Sequence, residues 1–541
     1  LNNSGVIEGL ELNTNSIENT GNITIQNKLA SQNLNNKKNT ANVNAGFLDV
    51  HNKILSVGNI KAITMKTNNL DNSGNILTNS LTTTENINKG SITAKNISNQ
   101  NLVNSGSVIS DNITVINNIT NTNNIFANEK ISADKISNSN KLVAKNTETI
   151  NLTNTGNIIV KENLKTKDVT NSNSIKVGGN LNTDKLQNSK TLIAKNINVE
   201  KSLNNINGKI TSLNAYINTS DIKNNNGTIQ AVKNINIKTS NDLKLDGKYT
   251  ANDSLNINAK SLENNGNLEN DGKIKFNLTG NLINNNKISS SSNLNITANE
   301  ISNNGVNSII GSEANLTITA NSLKNEGNLL FGEGIENKLK TTGNITNTGV
   351  ISSLGKLKIE AKDILNDKQI ISDNDLTLDV NSITNKGLLY STNNMKVDFK
   401  DIFLNDKAEI YSSGDITINS ENGTFTNKVG EIESERNIKI VAKDIKNLAE
   451  VTGNYKVIGT VPGNKSNIDM SKIDIDKYNK LSADIVNSFF KEYIIKKVAK
   501  DKRIYIKLVK ISANENGGSF RKQGHGKDSE GYYGAWDWEK D

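Results

Sequence analysis

Asn293-Leu294-Asn295-Ile296-Thr297-Ala298-Asn299-Glu300-Ile301-Ser302-Asn303-Asn304-Gly305 is the phrase that decides the fold. Leu294, Ile296 and Ala298 alternate with polar residues, the period of a strand with one buried face, and helical spacing does not fit. The phrase closes on Asn303-Asn304-Gly305, residue types that tolerate positive φ and so suit a tight corner. It returns at once as Asn315-Leu316-Thr317-Ile318-Thr319-Ala320.

Working outward, the first aliphatic of the phrase recurs from Ile235 through Leu255, Ile274, Leu294, Leu316 and Leu339 to Ile438, in steps of 18 to 23 residues. An earlier register runs through Ile76, Ile92, Val108, Ile125 and Leu142 to Ile210 in steps of 16 to 18. So short and persistent a period defines a solenoid, in which each repeat buries its apolar face only by stacking on its neighbours. Each repeat reads as two or three short strands closing one lap. Laps stacked in parallel about 4.8 Å apart make a β-helix, and roughly 25 of them would extend on the order of 120 Å. The competing solenoid, a leucine-rich horseshoe, needs a helix-competent half-repeat. Here that half is Asn, Gly, Ser and Thr, which are poor helix formers.

Composition agrees. Asn approaches one residue in five and aromatics are 4% of the 541 residues. Asn at repeated corners can form hydrogen-bonded ladders between laps, and much of the remaining Asn is shared with a general Asn, Lys and Ile enrichment. The absence of cysteine excludes a disulfide framework and a thiolate metal site. No stretch approaches 18 apolar residues, so no helical membrane span is expected.

Ile17-Glu18-Asn19-Thr20-Gly21-Asn22-Ile23, Leu70-Asp71-Asn72-Ser73-Gly74-Asn75-Ile76, Leu152-Thr153-Asn154-Thr155-Gly156-Asn157-Ile158 and Leu262-Glu263-Asn264-Asn265-Gly266-Asn267-Leu268 resemble the haemagglutinin repeats of filamentous haemagglutinin-like exoproteins of two-partner secretion. The likeness covers roughly residues 1 to 450. It implies a right-handed parallel β-helix, exported by an outer-membrane partner transporter and displayed or released at the bacterial surface as a virulence-associated adhesin. The implied partners are glycans or proteins of host or neighbouring cells. Some relatives end in a toxin, so a delivery stalk is the alternative. The family's amino-terminal secretion motif of Asn-Pro-Asn-Leu type is missing, since Pro462 is the one proline, and no β-barrel follows. Both absences fit the expectation of an internal or truncated segment of a longer protein.

The pattern changes near Gly463. Tyr478, Leu481, Ile485, Phe489, Tyr493 and Val498 predict an amphipathic helix, followed by a strand-like Ile504, Ile506, Leu508. The expected organisation is thus an all-β right-handed parallel β-helix over 1–460 and a small basic α+β module over 461–541, acting as a cap or opening a further domain. Eleven Lys or Arg against three acids between Lys491 and Lys527 give +8, equal to the formal charge of the whole chain. Lys496, Lys497, Lys500, Lys502 and Arg503 are therefore the candidate contacts to an anionic partner, set against an ordinary solvated face. With Arg scarce and no known module present, no specific nucleic acid is expected.

Catalysis is not expected, and neither is a cofactor or metal. His51 and His525 have no His or Cys at ligand spacing, and nothing demands that His525 act with Asp528 or Glu530. A carbohydrate-active β-helix would need convergent carboxylates in a groove. Asp373 and Asp375, or Glu431, Glu433 and Glu435, are the pairs that alternation could place on one face.

Overall fold

The computed structural model describes residues 1–448 and two short strands, Tyr505–Ile506 and Trp536–Asp537. The helix expected over Tyr478–Val498 lies outside the described residues. Of the expected strand around Ile506, Tyr505–Ile506 is described and pairs antiparallel with Trp536–Asp537. Among the described residues there is no helix, and parallel strands stack into a β-solenoid of about 24 turns. The chain divides into two compact units. One comprises Leu1–Thr239 with Asp246–Ala251, and the other Ser240–Leu245 with the chain from Asn252 onward.

In the first unit a lap is a single bent strand, such as Asn75–Asn88, and the next, Ser91–Asn104, pairs with it in parallel at a displacement that sets Ile76 beside Ile92. Its inward residues are Ile76 and Thr78, then Leu81 and Thr83, then Asn86 and Asn88. Alternation gives two inward side chains per side, and one extra residue at each corner restores the phase for the next side. The lap is therefore three-sided, with six inward positions. The two-residue link Lys89-Gly90 closes it. Columns of like residues follow, as in Ile60, Ile76, Ile92, Val108, Ile125 and Leu142, each at most 2% exposed. Burying each such side chain contributes about 1.5–3 kcal/mol, and only the neighbouring laps provide that burial.

In the second unit the lap is longer and its corners interrupt the strand. Ser254–Ala259, Leu262–Asn264 and Asn267–Asn270 form one lap and pair respectively with Lys273–Leu278, Leu282–Asn284 and Lys287–Ser290 of the next. Some of the longer laps are thus three short strands in place of one bent strand, while later ones keep two sides on a single strand, as in Leu357–Asn366 and Leu376–Asn385.

The last inward position of the lap is the asparagine of the Asn-x-Gly phrase. Asn88 donates through Nδ2 to Oδ1 of Asn104 at 2.8 Å, to the Gly90 carbonyl at 3.2 Å and to the Ser107 carbonyl at 3.0 Å. Nine such amide rungs, of 2.7–2.8 Å, join Asn72 to Asn224 without a break. A second ladder climbs from Asn264 through Asn284, Asn303 and Asn325 to Asn447. A buried primary amide has two donor hydrogens and an acceptor oxygen, and this position uses both kinds. Ser56 occupies it once and turns its hydroxyl to the Gly58 carbonyl instead, so no amide rung joins Asn36 to Asn72.

The glycines beside the ladder serve a purpose other than the one expected. Left-handed φ occurs at only a few described positions, among them Asn207, Asn226, Gly247 and Gly305. At Gly74 and Gly90 the requirement is space. A Cβ on Gly74 would stand 2.0 Å from the Gly58 carbonyl oxygen, and one on Gly90 would stand 2.1 Å from that of Gly74. At these two corners the stacking leaves no room for a side chain, whereas Asn123, Asn140 and Lys190 take the same place in later laps.

Candidate binding surfaces

Three outward regions stand apart from the ordinary polar exterior. The first is a groove in the first unit, of about 710 Å3, which runs along one corner over successive laps. Its floor is the backbone around Val115, Ala133, Thr149, Thr166 and Thr183. The Thr149 hydroxyl lies inside, bonded to the carbonyls of Asp134 and Asn151 at 3.1 Å, and Thr183 repeats this with Lys167 and Lys185 at 2.9 Å. Those bonds hold the corners in line. On the banks stand Glu148, Lys165, Asp184 and Glu200, with the exposed Ile116 and Ile150 between them. Lys130 and Lys165 approach Glu148 at 2.7 and 3.6 Å. Both partners are largely exposed, so these pairs contribute little to stability and remain open to exchange with a ligand.

The second is a pocket of about 330 Å3 in the second unit, where Glu360 and Asp379 pair side by side near Lys362 and Lys400. Lys358 and Lys338 lie 2.8 and 2.9 Å from Glu360 and hold its pKa down to about 2. A carboxylate so held stays ionised at neutral pH. It cannot donate a proton, and glycoside hydrolysis by two carboxylates needs one group that can.

The third is the outward face of the wall that follows the Asn ladder in the second unit. On the strands Gln369–Ser372, Leu388–Ser391 and Glu409–Ser412 the inward residues are Ile370 and Ser372, Leu389 and Ser391, and Ile410 and Ser412. The serine hydroxyls bond carbonyls at the corners, as Ser391 does with Asn374 at 2.8 Å. The outward partners Ile371, Leu388, Tyr390 and Tyr411 are nonetheless 2–5% exposed. Tyr390 and Tyr411 stack with centroids 5.4 Å apart, and the Tyr411 hydroxyl donates to Glu435 at 2.6 Å. Burial pushes the Asp373 carboxyl up to about 9, against a hydrogen bond from Thr392. It also raises Glu433, which Glu431 and Glu435 crowd with like charge.

Of the carboxylates singled out from alternation, Glu431 and Glu433 share an outward strand face, whereas Asp373 and Asp375 stand in the corner after Gln369–Ser372 and Glu435 in the corner after Glu431–Ser434, and none of the five lines the groove or the pocket described above. At its corner Asp373 accepts the hydrogen bond from Thr392, whereas Asp375 is taken by Lys356 at 3.0 Å and by the Asn393 amide at 2.7 Å. Glu431 and Glu433 alternate outward on the strand Glu431–Ser434. His51 is exposed on an outer face, and among the described residues no three His, Asp or Glu are grouped to hold a metal ion. Lys496, Lys497, Lys500, Lys502 and Arg503, with His525, Asp528 and Glu530, lie outside the described residues. The outward wall was missed in the sequence. Its signal is the appearance of Leu388, Tyr390 and Tyr411 at positions where earlier laps carry residues such as Asn59, Lys61, Ser91 and Thr93.

No protein-family model matches this chain, and no curated protein is recognisably similar to it.

Proposed function

We propose that this solenoid is an adhesin-like surface protein, exported across an outer membrane by a partner transporter, which attaches a bacterium to host or neighbouring cells. The observation that carries the reading is the repetition of outward polar groups at the lap spacing. Asn42 donates to Asn22, Asn59 to Asn42 and Asn75 to Asn59 at 2.8–3.0 Å along one exposed row. Asn180, Asn196, Asn214 and Asn234 form another, with bonds of 2.8–3.1 Å. Such rows offer the same donor and acceptor about every 4.8 Å. That spacing favours a partner that is itself extended, a glycan chain or an extended peptide lying along the groove beside Glu148 and Asp184. Many weak contacts in register then sum into retention.

The test is attachment of the full chain to host cells, compared with a Glu148→Arg, Asp184→Arg variant. Both side chains stand on the surface and the variant should fold. Loss of most attachment supports the groove as the contact surface. Unchanged attachment removes the groove from the account. A stalk that carries an effector is the second reading, favoured by the change of composition after Gly463.

A further inference from the structure

Five Asn-Gly pairs lie among the described residues, at Asn207, Asn226, Asn265, Asn304 and Asn422. In such a pair the backbone nitrogen of the glycine can attack the side-chain amide before it, because glycine puts no side chain in the way. What each glycine N–H meets decides whether that attack is assisted. Gly208 and Gly227 donate to the carbonyls of Asn205 and Asn224 at 3.0 and 2.8 Å, Gly266 to the Asn264 amide oxygen at 3.2 Å, and Gly423 to the Ser420 hydroxyl at 2.8 Å. None of those acceptors takes up a proton near neutral pH. A Cβ on Gly208, Gly227 or Gly423 would also stand 2.1–2.6 Å from its nearest atom, so these corners are packed.

Gly305 differs in both respects. It is exposed, its φ is +78°, and nothing lies within 4 Å of where a Cβ would be. Its N–H donates to Oε2 of Glu326 at 3.0 Å. Lys324 holds the other oxygen at 2.6 Å and keeps this carboxyl below the ordinary carboxylate range, so it is ionised at neutral pH. Glu326 stands there because it follows Asn325 as Asn304 follows Asn303, and the two ladder asparagines are in register on successive laps. Alternation on Glu300–Asn303 turns Ser302 outward, and its hydroxyl donates to Oδ1 of Asn304 at 2.5 Å. A carboxylate on the attacking N–H and a hydroxyl on the oxygen that becomes negative are the two aids on which acyl transfer relies. We propose that Asn304 is a self-modifying residue, which its own chain converts to aspartate or isoaspartate through a cyclic imide. The Gly305 N–H proton passes to Glu326 as the bond from Gly305 N to Asn304 Cγ forms, and Ser302 stabilises the oxyanion. The Cγ–Nδ2 bond then breaks, and Nδ2 leaves as ammonia with the proton that Glu326 returns. Water opens the imide. The product lacks the amide that donates to Asn285 at 3.1 Å, so the exposed row from Asn265 through Asn285 ends one rung earlier, with a new negative charge beside Glu326. This goes beyond the attachment reading and does not depend on it.

Incubation of the folded full chain at neutral pH, followed by peptide mass spectrometry that separates aspartate from isoaspartate, tests the assignment. Asn304 should convert about tenfold or more faster than Asn207, Asn226, Asn265 or Asn422, with matching release of ammonia. In urea, where the fold no longer supplies Glu326 and Ser302, that lead should disappear. Glu326→Gln keeps an oxygen to accept the Gly305 N–H but cannot take its proton, and it should slow the conversion about tenfold or more. Ser302→Ala should slow it as well, and it carries the test alone if Glu326→Gln loses the β-sheet circular dichroism of the parent. Conversion of Asn304 no faster than that of the other four in the folded chain would overturn the proposal, and so would a lead that persists in urea, which would trace it to local sequence. A folded Glu326→Gln or Ser302→Ala variant that converts as fast as the parent, or faster, would overturn it too, since the side chain would then only restrain the corner.

Discussion

Asn138 donates through Nδ2 to Oδ1 of Asn154, 2.8 Å away and one lap later, while its own Oδ1 receives Nδ2 of Asn121 at 2.7 Å. One buried side chain thus links three laps. The same Nδ2 also reaches the carbonyls of Asn140 and Asn157 at 3.0 and 3.3 Å, tying the ladder to the corner that it closes.

Asn138→Ala breaks two rungs and leaves buried groups on Asn121 and Asn154 without their partners. A loss of roughly 2–4 kcal/mol in local stability is expected. Asn138→Asp should be worse, because a carboxylate has no hydrogen to donate and would face the Asn154 Oδ1 and two carbonyls. Solenoids open lap by lap, so amide hydrogen exchange around residues 121–171 should register the loss well before the distant laps do.

The ladder's defects should be correctable. Ser56 stands in register between Asn36 and Asn72, and Ser56→Asn is expected to restore the missing rungs and stabilise by about 1 kcal/mol. Asn86 is a different fault. It lies buried between Leu70 and Leu102 in an aliphatic column, with neither its Nδ2 nor its Oδ1 bonded. Asn86→Leu should stabilise by roughly 1–3 kcal/mol, and urea denaturation of the two variants would show both gains.

Gly74→Ala should destabilise by roughly 1–3 kcal/mol, the range of core overpacking. The new methyl would meet backbone atoms of Val57 and Gly58, which have no rotamer to change. Gly5→Ala is the control, since nothing lies within 4 Å of a Cβ there, and it should cost far less in the same melt.

The pH dependence of the second unit should bear the mark of Asp373. Its folded pKa, about 9, stands above the ordinary 3.8, so the folded state holds a proton that the unfolded chain has released. The stability from the neutral carboxyl is complete below about pH 3.8 and is lost as pH rises toward 9. Glu360 acts in the opposite sense. Held near 2, it contributes above pH 4.5, and that contribution disappears as pH falls through 2. Asp373→Asn should flatten the decline between pH 5 and 9 without altering the acid limb. Melting temperatures measured across that range would check both halves.

Much of this was legible in the sequence, because the determinants are local and repeated. The steps among Ile76, Ile92 and Val108 are the observed inter-lap register, and the recurring Asn72, Asn88 and Asn104 form the expected ladder. The role of the glycines was not, since the closeness of Gly58, Gly74 and Gly90 is a property of stacked corners and a single repeat does not contain it. Nor was the burial of Tyr390, Tyr411 and Glu433. Alternation places them outward, where a side chain is ordinarily exposed, and nothing in the repeat itself marks them as buried. Glu360 and its three lysine neighbours were likewise unrecognised, because Lys338, Lys340 and Lys358 belong to two different laps.

The most direct test of the functional account is retention of the full chain on host cells and on anionic vesicles as salt is raised, beside a variant with Lys496, Lys497, Lys500, Lys502 and Arg503 all changed to Gln. If the solenoid's polar faces are the adhesive surface, the parent stays on cells through moderate salt, the variant does the same, and neither is held strongly by vesicles. Retention that vanishes within the range where charges are screened, about 0.1–0.5 M, and that the substitutions abolish, would contradict the account. It would transfer attachment to the basic segment and leave the solenoid as a spacer.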